Sequence, residues 1–245
     1  MKKRYITLIV VFSLIVGIFS AFFIWTSIAY QPMNEALEAL NSTEYVEVTI
    51  DDYILFTPKN QTPIEGIIFY PGGKVEPEAY APLLMKIAEY GYLVALVPMA
   101  FNLAFFSPNK ADIVIEDHPS IQNWTISGHS LGAAMAARYA FNNPSLLDGL
   151  ILYAGYPAES DDMSSYNIEV FVIYGTENAN MVDNINNKLL LLPSSTSVVV
   201  IEGGNHAYFG WYGEQRGDGV ATITRAEQQA IALNETIIFL SSLYF

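Results

Sequence analysis

Residues 123–141 read NWTISGHSLGAAMAARYAF, and the reading of this stretch decides the fold. Trp124-Thr125-Ile126 is a short β-prone run. Gly128-His129-Ser130-Leu131-Gly132 is a G-x-S-x-G, and an Ala-rich segment follows with no helix breaker before Pro144. Strand, tight turn and helix is the setting in which this motif holds its serine in a strained conformation, with the hydroxyl projecting from the end of a sheet. Side chains two positions either side of the serine would collide with the turn, which accounts for glycine at both 128 and 132. Ala133, Ala134, Ala136 and Ala137 predict a helix packed close to that sheet.

Working outward, short apolar runs alternate with helical patterns. Tyr45-Val46-Glu47-Val48-Thr49-Ile50 alternates as a strand, Asp51-Asp52 turns, and residues 53–56 return, which predicts an antiparallel hairpin. Gly66-Ile67-Ile68-Phe69-Tyr70 is a continuous apolar run, the pattern of a strand buried on both faces. Residues 77–90 then read as a helix stopped by Gly91, and 92–97 as the next buried strand. Residues 111–116 predict a helix, 150–153 and 170–174 strands, 182–192 a helix closed by Pro193, 197–201 the last strand and 225–240 a long closing helix. Such alternation means an α/β fold with a mostly parallel sheet. No internal repeat, low-complexity tract or second domain is visible. The expected organisation is residues 1–30 as an anchor, 31–44 as a tether and 45–245 as one catalytic domain, long enough for a sizeable core.

Residues 6–30 carry no charge and follow Lys2-Lys3-Arg4 directly. That length exceeds the ~20 residues a helix needs to cross a bilayer. The positive-inside rule leaves the N-terminus in the cytoplasm and puts the body outside. Cleavage after Ser27-Ile28-Ala29, giving a secreted protein, is the alternative; an apolar core longer than the usual ~7–15 residues of a signal peptide favours an uncleaved single-pass anchor.

Composition narrows the chemistry. The absence of cysteine excludes disulfides, cysteine nucleophiles and thiolate metal sites. A formal charge of −14 argues against nucleic-acid binding, which needs clustered Lys and Arg, and reads as a self-repelling surface. No group of histidines and carboxylates has metal-ligand spacing and no phosphate loop is present, so no cofactor is expected.

In open α/β sheets a site forms beyond the carboxyl ends of the strands. Three loops there join the serine turn. Tyr70-Pro71-Gly72-Gly73-Lys74 can offer a backbone N–H at Gly73 which, with that of Leu131, would make an oxyanion hole. Glu202-Gly203-Gly204-Asn205-His206-Ala207 places His206 after the last strand, where a base for Ser130 belongs. His118 precedes Pro119 in an expected surface loop, and His129 should point away from the serine and pack. Tyr174-Gly175-Thr176-Glu177-Asn178 should carry the group that orients the histidine. The Arg216-Gly217-Asp218 tripeptide matches an integrin-type motif and reads as a chance match in a Gly-rich loop. Tyr208, Phe209, Trp211 and Tyr212 either line the pocket or pack the last helix.

On the segments YPGGKVEPEAY (70–80), GHSLGAAMAARYA (128–140), YGTEN (174–178) and EGGNHAYFGWYG (202–213), the chain from about residue 45 onward resembles the α/β-hydrolase superfamily, specifically its small, lidless dienelactone-hydrolase-like branch. The resemblance implies an α/β-hydrolase fold with helices on both faces of the sheet. It also implies Ser130 as nucleophile, His206 as base, and Leu131 and Gly73 as oxyanion donors. One position departs from the pattern: such families usually read Gly-x-x-Asp in the acid loop, and here the aspartate position is Asn178. Glu177 reaching across and an Asn-type triad both stay open. The expected function is serine-dependent hydrolysis of a small carboxylic ester or related acyl bond. A lactone or dienelactone hydrolase, a peptidase of the same fold, and a catalytically silent surface binding module are the alternatives.

Overall fold

The computed structural model describes residues 2–244; Met1 and Phe245, the outermost residues of the expected anchor and catalytic spans, lie outside the described residues. A single sheet of 8 strands runs in the order β1-β2-β4-β3-β5-β6-β7-β8. The strands are β1 (Val46–Ile50), β2 (Ile54–Pro58), β3 (Glu65–Tyr70), β4 (Leu93–Leu96), β5 (Asn123–His129), β6 (Gly149–Tyr153), β7 (Glu169–Gly175) and β8 (Ser197–Ile201). β1 and β2 form the expected hairpin, β2 joins β4 antiparallel, and every later pairing is parallel.

The central strands are apolar throughout because both of their faces are covered. Ile67, Phe69, Ile151, Tyr153, Phe171 and Ile173 belong to one buried cluster. Ile68, Tyr70, Leu150, Leu152, Val170 and Val172 belong to the other. Neighbouring residues of one strand thus feed opposite cores, as the two-residue period of a strand requires. The first face is covered by α3 (Ala81–Glu89) and α7 (Arg225–Tyr244), the second by α4 (Ala111–Asp117), α5 (Leu131–Asn142) and α6 (Ala179–Leu189).

Close approach of α5 to the sheet depends on glycine. A Cβ at Gly132 would fall 2.1 Å from the Tyr70 carbonyl oxygen, and one at Gly128 would fall 2.5 Å from the Gly132 carbonyl carbon. Neither position tolerates a side chain unless the backbone moves.

Some boundaries differ from the sequence reading. The helix expected over 77–90 opens as a 3₁₀ turn, Pro77–Tyr80, before α3 begins. α6 starts three residues earlier than expected and ends at Leu189; Pro193 disfavours helical backbone in the residue before it, so 190–192 leave as a turn. α7 runs on to Tyr244 rather than stopping at Leu240. Residues 31–44 include a short helix, α2 (Asn34–Glu38), laid on the body with Ala36 buried and the Met33 N–H bonded to the Trp211 carbonyl at 2.7 Å.

The first helix, α1 (Lys2–Ser27), holds a 24-residue span, Arg4–Ser27, with mean hydropathy 2.7; it is exposed over most of its length and meets the body only near its C-terminal end, where Thr26 is buried. It is long and apolar enough to cross a membrane, as an anchor or a signal sequence would be.

Candidate active site

Ser130 sits between β5 and α5 with φ 55 and ψ −118, a backbone conformation that L-residues rarely adopt. Three contacts hold it there. Its N–H donates to the Tyr153 carbonyl at 3.0 Å, its own carbonyl accepts the Ala134 N–H at 3.1 Å, and Gly155 lies so close that a Cβ on it would fall 2.9 Å from the Ser130 carbonyl oxygen. This is the strained elbow that the sequence predicts.

Beyond the carboxyl ends of the strands lies a cavity of about 420 Å³ whose wall includes Ser130, Leu131, Tyr156, Asn178, His206 and Asp218. Serine, histidine and asparagine, 76 positions apart along the chain at their extremes, share this space because β5, β7 and β8 all end there. The Asn178 amide meets the ring of His206, Nδ2 to Nδ1, at 3.0 Å. Glu177 does not reach the histidine: its carboxylate accepts the Thr176 hydroxyl at 3.2 Å, and its backbone N–H is bonded to Gly204. Of the two residues left open by the sequence, Asn178 is the one beside the ring.

Gly73 faces Leu131, since a Cβ at Gly73 would fall 3.0 Å from Leu131 Cδ2. The backbone N–H groups of both have no acceptor among the described residues. Two free donors next to Ser130 are what a developing oxyanion needs.

His129 points away from the cavity, as expected, but it does more than pack. Its Nε2 lies 3.0 Å from the His206 carbonyl oxygen and its Nδ1 lies 2.9 Å from the Tyr80 hydroxyl. A carbonyl can only accept, so Nε2 carries the proton and Nδ1 accepts from Tyr80. The Tyr80 oxygen in turn accepts the Gly72 N–H at 3.0 Å. A buried relay therefore ties the loop before Gly73 to the backbone of His206. Burial and the neighbouring His206 push the His129 pKa well below its ordinary 6.5, which keeps the ring neutral in this role.

Sequence reasoning missed Asp218. Its Oδ1 accepts the N–H groups of His206 (3.1 Å) and Gly219 (2.9 Å), and its Oδ2 accepts that of Ala207 (2.8 Å). The carboxylate fixes the loop that carries His206 and brings a negative charge beside it. Burial lowers the His206 pKa below 6.5 and Asp218 opposes that shift. The ring is thus neutral at pH 7. In the sequence nothing distinguishes this aspartate from any other in a Gly-rich loop, since its partners are backbone amides 11 and 12 positions away.

Tyr208, Phe209, Trp211 and Tyr212 do not line the cavity. Phe209 and Tyr212 are buried in the core, and the Arg225 guanidinium stacks 4.2 Å over Tyr208 while bonding the carbonyls of Ala207, Gly210 and Gly213. They pack the closing helix. His118, half-buried, pairs with the Tyr53 hydroxyl at 2.9 Å and takes no part in the site. Among the described residues no group of three or more His, Asp or Glu is arranged to hold a metal.

Fold and site together define a hydrolase of the α/β class. The chain belongs to the alpha/beta hydrolase family, whose model matches residues 66–230. No curated protein sequence matches it. Among solved structures it is similar to a dienelactone hydrolase from Anabaena variabilis (TM-score 0.58, 14% identity, 78% of this chain and 97% of that one). It is also similar to a carboxylesterase from Bacillus subtilis (TM-score 0.59, 10% identity, 90% and 98%). A predicted CIB-like hydrolase from Thermoplasma acidophilum matches at TM-score 0.56 and 15% identity over 78% and 97%. At these identities the likeness is one of fold.

Proposed function

We propose that this protein is a serine hydrolase that cleaves a carboxylic ester through an acyl-enzyme, held by an uncleaved N-terminal helix with its catalytic domain outside the cytoplasmic membrane. The observation that carries this reading is Ser130 on a strained elbow, sharing one cavity with a neutral histidine whose other ring nitrogen is engaged by Asn178. In this reading the Asn178 amide turns its Oδ1 to a protonated His206 Nδ1, which leaves Nε2 unprotonated, and Ser130 Oγ attacks the ester carbonyl while Nε2 takes its proton. The N–H groups of Gly73 and Leu131 receive the charge that develops on the carbonyl oxygen. The leaving alcohol takes the proton from His206, and water, activated by the same ring, releases the acid and frees the serine. All of these roles fall to this chain's own residues, with no cofactor.

Asn178 favours a second reading, a slow or silent enzyme used for binding. An asparagine lacks the charge that stabilises the imidazolium, and the corresponding loss in a serine triad can reach ~10⁴ in rate.

The test uses the full chain in detergent micelles with short p-nitrophenyl esters and a fluorophosphonate probe. Turnover and labelling are expected in the wild type and should both vanish in Ser130→Ala. Absence of labelling in a well-folded wild type would leave the binding reading.

A further inference from the structure

The apolar helix α1 meets the body at the loop that bears Phe101 and Phe106 and at Lys74, the residue after Gly73. Phe22 lies against Phe101 and Phe106 at centroid separations of 5.6 and 5.8 Å, and Phe23 against Phe101 at 5.6 Å. The Lys74 ammonium sits 4.4 Å over the Trp25 ring. Just beyond the helix, the Tyr30 N–H donates to the Lys74 carbonyl at 2.7 Å, and the Tyr30 hydroxyl accepts the Arg216 N–H at 3.3 Å. Lys74 follows Gly73, and Arg216 lines the cavity. The chain leaving α1 is therefore bonded to two loops of the candidate site.

Depth can be read from helix geometry. The 24 residues of Arg4–Ser27 extend ~36 Å, against ~30 Å of bilayer hydrocarbon. Phe22 lies only ~7 Å along the axis from the end of the helix at Ser27. A span seated across the bilayer carries Phe101 and Phe106 to the level where hydrocarbon meets headgroups. Aromatic rings and lysine concentrate at that level, and Trp25 and Lys74 are there as well.

The loop that bears these rings follows β4, at the same carboxyl end of the parallel strands as Ser130. Phe101, Phe105 and Phe106 are 42%, 48% and 46% exposed, and Phe105 packs on Phe106 at 4.3 Å. Phe101 and Asn102 both have left-handed backbone (φ 58 and 55), and the Asn102 carbonyl accepts the Lys74 N–H at 2.7 Å. Strain of this kind persists only where surroundings impose it. The loop also adjoins the cavity wall, because Gly73 has Leu131 on one side and Leu103 on the other. Charge does not explain the arrangement. Without Lys2, Lys3 and Arg4 the chain is more acidic than its overall −14, so an anionic surface would repel the body. Apolar side chains and the covalent helix would have to hold this face to a bilayer.

We propose that residues 101–106 rest in the membrane interface and that the site takes an ester-bearing amphiphile from the adjoining leaflet rather than a freely soluble ester; this rests on the serine-hydrolase reading above. The bond broken is that between the acyl carbon and the alcohol oxygen. Water supplies hydroxyl to the acid and a proton to the alcohol, and the apolar tail need not leave lipid for the head to reach Ser130.

The test places the full chain in vesicles of ether-linked phosphatidylcholine, so that only the added probe carries an ester. The chain has no cysteine, so Phe105→Cys and Leu190→Cys each take a single nitroxide label. Leu190 is exposed at the far end of α6. The label at 105 should be relaxed by oxygen and shielded from a water-soluble chromium complex, and the label at 190 the reverse; equal access of the chromium complex to both would overturn the proposal. In parallel, the double variant Phe105→Asp/Phe106→Asp should hydrolyse vesicle-borne 4-methylumbelliferyl palmitate at least tenfold more slowly than wild type, and soluble 4-methylumbelliferyl acetate at the same rate. Equal palmitate rates would also overturn it. Failure of the wild type on both esters would instead remove the serine-hydrolase reading, and the substrate class with it, while the labels still report where the loop lies.

Discussion

At the scale of single residues, Asn178 and Tyr80 carry the sharpest expectations. The Asn178 amide presents either Nδ2 or Oδ1 to His206 Nδ1 after a half-turn about its last torsion. With Nδ2 there, Nδ1 accepts and the ring proton sits on Nε2, where the ring cannot take the serine proton. With Oδ1 there, Nδ1–H donates and Nε2 is a base. A carboxylate can only accept, so Asn178→Asp should lock the productive tautomer and raise kcat by up to ~10⁴. The same change should move the acid limb of the kcat/KM profile to higher pH, since a negative neighbour favours imidazolium. A lower kcat in this variant would show that the acid position does not limit turnover. Tyr80→Phe would strip the Gly72 N–H and His129 Nδ1 of their partner in a dry place, at about 1–3 kcal/mol for each orphaned group. Chemical denaturation measures the loss, and kcat should fall more than KM changes. Of these residues the sequence disclosed Ser130 and His206 through motif and chain order. It disclosed Asn178 only as a departure from a pattern, and Tyr80 not at all, because a tyrosine 49 positions from its histidine partner leaves no local trace.

At the scale of elements, the serine turn and the histidine loop are built differently. The turn is held by backbone crowding. A methyl at Gly132 meets the Tyr70 carbonyl, so Gly132→Ala must push α5 off the sheet; a loss of about 3 kcal/mol is expected in denaturant titration, with Ser130 displaced and activity gone. The histidine loop is held by polar side chains: Asp218 on three backbone amides, Gln228 on both backbone groups of Asn205, and Arg225 on three carbonyls. Asp218→Asn removes the charge, and its amide nitrogen, which cannot accept, also leaves at least one of the three backbone N–H groups without a partner. The imidazolium of His206 then loses its favourable neighbour, and the acid limb of kcat/KM should move to lower pH. An unmoved limb would mean that the charge is screened from the ring. The first kind of construction is legible in sequence, because glycine at fixed spacing records a steric demand. The second is not, because backbone amides and carbonyls belong to every residue.

At the scale of the whole molecule, all three histidines have pKa values lowered by burial. In the unfolded chain they take up protons near 6.5; in the folded chain they resist protonation until lower pH. Between those limits the unfolded state binds more protons, so stability rises with pH. Urea midpoints should therefore climb toward about pH 6.5 and level off above it, and replacing His118 and His129 by glutamine should flatten the climb. A midpoint that falls between pH 5 and 6.5 would contradict the buried, neutral assignment.

The sequence by itself determined the alternation of strands and helices, the two-faced sheet, the serine turn, the histidine that shares its cavity and a helix of membrane-spanning length. Each of these is a local pattern: a period of two or of 3.6, a glycine spacing, a run without charge. Only the tertiary structure decided that Asn178 and not Glu177 meets the histidine, that His129 joins Tyr80 to the His206 loop, that Asp218 grips that loop, and that α1 reaches the body at the loop bearing Phe101. These contacts depend on where loops from distant strands converge and on which way a side chain turns within one residue of its neighbour, and such choices are made by packing and leave no period in the chain.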